Sequence, residues 1–492
     1  MFKQGDLKIN FSKAAKADID EDVSNNNSVL ANSRENTLHL SEDLVNDIGN
    51  DGSFLQSKKY IVFSIAVLSQ ILNQSSASGL YPILPVIQEE LNTTVTLANA
   101  TVAVYAIMIG ILSSVWASYA DRLGRRRVFI SSNTFLVLGN IGSALSVNIG
   151  MLLGFRITCA IGAAASNALG AGMINDVFRD HQKGKALSWF NTVSLYSISG
   201  SPLICGSIVQ YLGWRSVFWS LFISYCVLWI IIVLLLPETN ACALQKKRQN
   251  MEKNREQAPQ TRKNRIINPF ASLKLLAFPN MLIVCLYLGF IGFTHRAMGV
   301  SFTWVYNSQY QFTTTMVGLF YLSGLPGSTI GAFIGGMISD RVYMTRVERA
   351  KESGEQIYPE MRLSLPGMFV VSITLVIPYV TYGWCVEKNL HFSIGIFCLT
   401  FVSLGLSLAG CLLTVYAIQS FPNHSSSAQA CMQTVKCAFF AAGSLWGTNL
   451  ENIAGSGIFY TVLGGILLIT SPFIIYIQRN YKKWQEKRDA MN

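Results

Sequence analysis

The chain has 492 residues, of which 51% are hydrophobic and only 13% are charged, with a formal net charge of +11. Soluble domains carry about 25% charged residues, so this composition excludes a water-soluble globule of the same size. The basic residues fall in separated clusters and not on one contiguous face, which excludes reading the charge as a nucleic-acid footprint.

Residues 1–57 hold ten Asp or Glu and many Asn and Ser. They read as a disordered cytosolic tail without a cleavable signal. Twelve apolar windows of about 20 residues follow, each able to cross a hydrocarbon core of ~30 Å. They cover 60–81, 98–117, 128–147, 150–173, 187–209 and 216–236, then 279–302, 316–338, 364–384, 392–417, 428–447 and 456–477. The expected fold is an all-α membrane protein with twelve transmembrane helices in two pseudo-symmetric six-helix bundles, 58–236 and 278–477. A hydrophilic cytosolic loop, 237–277, separates them, and a basic cytosolic tail, 478–492, follows. Asn268-Pro269-Phe270 opens a stretch expected to lie along the membrane surface, and 339–363 reads as a second cytosolic loop.

Of the 38 Lys and Arg, 33 fall on one side of this topology and only Arg215 and Lys388 on the other. The positive-inside rule then places both termini in the cytosol. Arg156, Arg296 and Lys436 fall inside spans, whereas all 27 Asp and Glu fall in tails, loops or span ends. The membrane interior is therefore net cationic. That disfavours polycationic cargo and fits neutral, amphipathic or anionic substrates. Arg156 either snorkels to the nearer interface or faces an internal cavity. His295 and Arg296 either sit near the outer interface or bind an anionic group.

The ten cysteines form no Cys-x-x-Cys pair and the five histidines are isolated. No metal site, catalytic constellation or cofactor is expected, and no Gly-Lys-Ser/Thr loop marks an ATP-driven pump. Asn92-Thr93-Thr94 is a glycosylation sequon in the first outer loop, with Asn92 its acceptor whether or not it is used. The basic runs determine topology and can also attract anionic lipid head groups. Tyr81, Tyr105, Phe190, Tyr196, Phe290, Tyr321 and Phe439 are candidates for an apolar cavity lining or for plain helix packing.

The densest charge cluster is Ala120-Asp121-Arg122-Leu123-Gly124-Arg125-Arg126-Arg127. Ser339-Asp340-Arg341 repeats its core 219 residues later, which suggests two similar halves. This cluster resembles the loop 2–3 signature of the major facilitator superfamily. Two further stretches resemble the fungal twelve-spanner drug:proton antiporters. One is Leu153 to Ala164 around Arg156. The other runs from Ser197 through Gly200, Ser201, Pro202 and Cys205 to Gly206, with Ser197, Ser201 and Cys205 where that motif has glycine.

The resemblance implies the major facilitator fold and export of small organic molecules by alternating access, with proton antiport. It implies a conformational switch made of Asp121, Arg122, Gly124, Arg125, Arg126 and Asp176, with Asp340 and Arg341 as its counterpart. It further implies a cavity role for Arg156 and packing of span 5 against the glycine-rich span 8. Lys436 stands where related antiporters tend to have arginine, and Gln433 where they have asparagine. The expected protein is a non-enzymatic, monomeric plasma-membrane transporter whose partners are a small substrate, protons and lipid, with no nucleic acid. An importer of a nutrient or organic acid and a non-transporting receptor of the same fold are the alternatives.

Overall fold

The structure, a computed structural model of the full chain, describes residues 52–178, 180–236, 271–354, 359–363, 365–421 and 425–479. The chain divides into two compact units, Met1–Ile61 and Val62–Asn492. The described part of the first unit is the opening of α1 (Gly52–Ser78). The tail expectation for 1–57 therefore lies outside the described residues up to 51, and Gly52 onward is helical. Most of the central loop (237–270) and of the C-terminal tail (480–492) also lies outside them.

The first half continues with a 3-10 turn (Tyr81–Ile83), α2 (Leu84–Glu90), α3 (Val95–Leu123), α4 (Arg125–Ala144), α5 (Ile149–Val177), α6 (Asp180–Leu212) and α7 (Trp214–Leu235). The second half has a 3-10 segment (Ala271–Ala277), α8 (Pro279–Ser308), α9 (Thr314–Tyr321), α10 (Gly324–Ser353), a 3-10 turn (Pro359–Arg362), α11 (Leu365–Glu387), α12 (Ser393–Ser420), α13 (Ser425–Ala454) and α14 (Ser456–Arg479). No strand occurs among the described residues.

Nine of the described segments are long and apolar enough to cross a membrane. The remaining three expected spans are the helices α1, α4 and α13, which carry more polar residues. In α4 the donors of these residues are satisfied locally: Ser132, Asn133, Asn140 and Ser143 are buried and donate to carbonyls three or four residues back. Large apolar side chains such as Phe333, Phe369, Phe397 and Ile453 face outward. Such a surface suits lipid and would drive aggregation in water.

Helix contacts repeat with the duplication. In the first half α3 packs on α5, and α4 on α5 and α7. In the second half α10 packs on α12, and α11 on α12 and α14. The halves meet through two equivalent pairs, α3 with α13 and α6 with α9 and α10.

Three local differences from the sequence reading have clear causes. The span expected at 316–338 is broken into α9 and α10, because Pro326 has no N–H and its ring crowds the carbonyl four residues back. The carbonyl of Ser323 at the break accepts the Thr400 hydroxyl of α12 at 2.9 Å. By contrast α6 runs unbroken through Pro202. The expected loop from 339 is helical as far as Ser353, since no glycine or proline interrupts 337–353; Gly354, with φ +69°, ends the helix.

Candidate functional site

The contact between α3 and α13 places polar groups of both halves together. Thr96 and Asn449 bond side chain to side chain at 3.0 Å, and Asn99 donates to the Thr448 hydroxyl at 2.9 Å. The indole of Trp304 on α8 donates to Asn99 at 3.1 Å. Further along α3, the Thr434 hydroxyl donates to the Gly110 carbonyl at 3.0 Å. These groups are neutral, so the contact can open without separating buried ions.

The second contact is steric. A Cβ on Gly318 of α9 would strike the Pro202 carbonyl oxygen of α6, and one on Gly206 would strike the Thr314 carbonyl oxygen. The Thr314 hydroxyl donates to the Gly206 carbonyl at 3.1 Å. The motif in α6 therefore divides by face. Pro202 and Gly206 meet α9, whereas Ser201 bonds Ser78 at 2.8 Å and Cys205 lies against Gly79 just beyond α1. Ser197 bonds back to Val193 within its own helix, and no atom lies close to where a Gly200 side chain would stand.

Near these contacts lies a cluster of cations. On α13, Gln433, Lys436, Cys437 and Phe440 share one face by their i, i+3, i+4, i+7 spacing. The Lys436 ammonium stands 5.2 Å from the Phe440 ring centre, and the Arg296 guanidinium of α8 stands 4.6 Å from the same ring. Arg296 also lies 5.6 Å from the ring of Tyr81, which belongs to the first half and stacks on Tyr321 of α9 at 5.7 Å. Tyr321 in turn bonds the Thr303 hydroxyl at 2.8 Å. Gln433 contacts the Cys437 sulfur at 3.6 Å.

Arg296 Nε, His295 Nδ1 and the Tyr81 hydroxyl are buried without a hydrogen-bond partner. Among the described residues no carboxylate pairs with Arg296 or Lys436, and the two cations repel each other. Both side chains are half-buried and partly stripped of water with no counter-charge beside them, and a cation–π contact contributes only ~0.5–2 kcal/mol. The rings therefore do not offset the charge, and the chemistry of the site favours a bound anion.

Arg156 is built differently. It is fully buried in α5. Its Nε donates to the Thr101 carbonyl at 3.3 Å, and its terminal nitrogens donate to the hydroxyl and carbonyl of Ser76 at 3.1 and 3.0 Å. It lies 4.2 Å from the ring of Tyr105, whose hydroxyl donates to Asn73 at 2.7 Å. Arg156 thus ties α1, α3 and α5 together through neutral acceptors. Of the other aromatic candidates, Phe190 lies against Gly170, Phe439 against Gly289, and Phe290 stacks on Phe293. Tyr196 is exposed.

At the α3–α4 turn, Gly124 has φ +92° and closes α3. Arg125 reaches across to α5, where its guanidinium lies against the bare backbone of Gly172, one helical turn before Asp176. Arg126 donates to the Val233 carbonyl of α7 at 2.7 Å. The side chains of Asp121, Arg122 and Asp176 lie outside the described residues. In the second half Asp340 pairs with Arg362 at 3.1 Å while remaining 73% exposed, and Arg341 is exposed.

Asn92 is exposed, with φ +45°. Glu90 accepts the Trp214 indole at 2.7 Å and pairs with Arg215 at 3.2 Å.

Sequence reasoning passed over Glu451, which lies at the end of α13 and is 5% exposed. It accepts from Ser456 at 2.8 Å and from Tyr460 at 3.5 Å. Counting acids by depth alone hid it; its helical register with Ser444 and Thr448, both buried, was the available signal. Fifteen residues of helix, ~22 Å of rise, separate it from Lys436, so it is no counter-ion for that site.

A duplicated set of membrane-length helices, joined at two equivalent pairs beside a charged interior site, is the architecture of a secondary transporter. The chain belongs to the Major Facilitator Superfamily, whose profile matches residues 66–444. It is 27% identical over 471 residues to Citrate exporter 1 of Aspergillus niger, covering 89% of this chain and 88% of that protein. It is 25% identical over 395 residues to the probable efflux pump mfs2 of Aspergillus flavus, covering 77% of this chain and 91% of that protein. Among solved structures, a bacterial homologue of the human lysosomal transporter Spinster, in an inward-facing and unoccupied conformation, superposes with a TM-score of 0.64. The two are 12% identical, and the match covers 88% of this chain and 99% of the other.

Proposed function

We propose that this protein exports small organic carboxylates across a fungal plasma membrane by alternating access, with both termini in the cytosol. The observation that carries the reading is the Arg296–Lys436 pair, two cations beside one ring with no carboxylate partner among the described residues. An anionic cargo supplies the missing charge. The likeness to a citrate exporter and an efflux pump supports carboxylate chemistry and outward movement. The antiporter resemblance adds a counter-moving solute. The neutral α3–α13 seam and the glycine crossing of α6 with α9 supply surfaces on which the halves can rock.

The test is flux in proteoliposomes containing the full chain, comparing labelled citrate and succinate with an uncharged azole. Wild type is expected to move the carboxylates, and Arg296→Gln to lower the rate about 100-fold, the scale of truncating one member of a buried charge pair. Azole flux without carboxylate flux, unaffected by Arg296→Gln, would overturn the substrate class.

A further inference from the structure

We propose that the carrier is an obligatory anion exchanger: its empty form does not reorient, and each outward carboxylate is balanced by an inward anion at the same Arg296–Lys436 site. The inference rests on the carboxylate reading above and goes beyond it by naming the counter-moving solute.

The argument is electrostatic. In alternating access the site passes through an occluded state in which water is withdrawn from it. With a dianion between Arg296 and Lys436 the site is neutral on occlusion. Without one, two like charges are desolvated together, and each is costly to strip of water. Among the described residues no carboxylate contacts either cation. Glu451 lies ~22 Å along α13 from Lys436, Glu90 is held by Arg215 and Trp214, and Asp340 is held by Arg362. The neighbours of the two cations are His295, Cys437, Tyr81, Tyr321 and Phe440, none of them a fixed anion. The first-half arginine cannot take part, because Ser76 and Thr101 already engage its donors. Exchange of dianion for dianion is also electroneutral across the membrane. The competing route, release of the Lys436 proton to let the empty site occlude, would make the carrier proton-coupled.

The experiment measures uptake of labelled succinate, a dianion at neutral pH, into proteoliposomes of the full chain that are empty or preloaded with unlabelled succinate, with and without an imposed pH gradient. The inference expects uptake about tenfold or more faster into loaded vesicles, unchanged by the gradient. It further expects Lys436→Gln, which leaves one cation, to bring the loaded-to-empty ratio towards one, and Lys436→Arg to restore it. Equal uptake into empty and loaded vesicles overturns exchange while leaving carboxylate transport intact. Uptake into empty vesicles that follows the pH gradient overturns it in favour of proton coupling. No succinate uptake under any condition, with an azole still moved, removes the carboxylate reading and this inference with it. If Lys436→Gln does not fold, the loaded-to-empty ratio of wild type decides alone.

Discussion

Arg156 and Arg296 are both guanidiniums inside the membrane bundle, each set against an aromatic ring, and they have opposite environments. Arg156 donates to three backbone and hydroxyl oxygens and is fully buried. Arg296 has a buried nitrogen without a partner and a second cation beside the same ring. A satisfied charge braces a fold. An unsatisfied one stores an interaction for something that arrives later, at a cost to stability that function maintains. Arg156 is fully buried and Arg296 half-buried, and hydrogen-bond bookkeeping separates them further.

The largest effect that would break this comparison is on stability. Arg156→Leu strands the Ser76 and Thr101 oxygens in the interior, a loss of about 3 kcal/mol or more. A large fall in Tm and in recoverable folded protein is expected for the purified variant. Arg296→Gln removes a charge that has no partner, and its Tm is expected to stay level or rise while transport is lost. A normal Tm for Arg156→Leu together with lost flux would move Arg156 from brace to cargo path.

A smaller effect sharpens the role of the crossing between halves. Gly318→Val places methyl groups into the Pro202 carbonyl, and overpacking of this kind costs ~1–3 kcal/mol. Transport at equal surface expression is expected to fall about tenfold. Wild-type flux would show that α6 and α9 do not need this approach during the cycle.

The smallest effects concern the two Asp-Arg turns. Asp340 is largely exposed, and an exposed ion pair contributes about 1 kcal/mol or less. Asp340→Asn is therefore expected to leave flux and Tm nearly unchanged. Asp121→Asn, at the turn where Arg125 reaches α5, is expected to slow transport several-fold with the protein still in the membrane. Equal behaviour of the two variants would remove the switch role from the first turn. The two turns diverge because Gly124 adopts a positive φ and ends α3, whereas Tyr343 stands at the equivalent position and α10 runs on to Ser353.

Much of the fold was legible in the residues. Apolar runs of membrane length must be helical, because in lipid every backbone polar group has to be satisfied internally. The 219-residue offset of Asp-Arg marked the duplication. The break at Pro326 and the stop at Gly354 were also written there and were obscured only by reading 316–338 as one span. The set of intramembrane cations was legible as well, since any charge in an apolar run stands out.

Which of those cations is satisfied was decided by the tertiary structure alone. The partner of Arg156 is Ser76, 80 residues away, and no periodicity reports that contact. The pairing of Lys436 with Arg296 around Phe440 joins two helices about 140 positions apart in the chain. The division of the α6 motif between α1 and α9 likewise depends on which face each neighbour covers. Hydropathy is a sum over local residues and survives without coordinates. The satisfaction of a buried charge is a property of the few atoms within hydrogen-bonding reach, and folding chooses those atoms from anywhere in the chain.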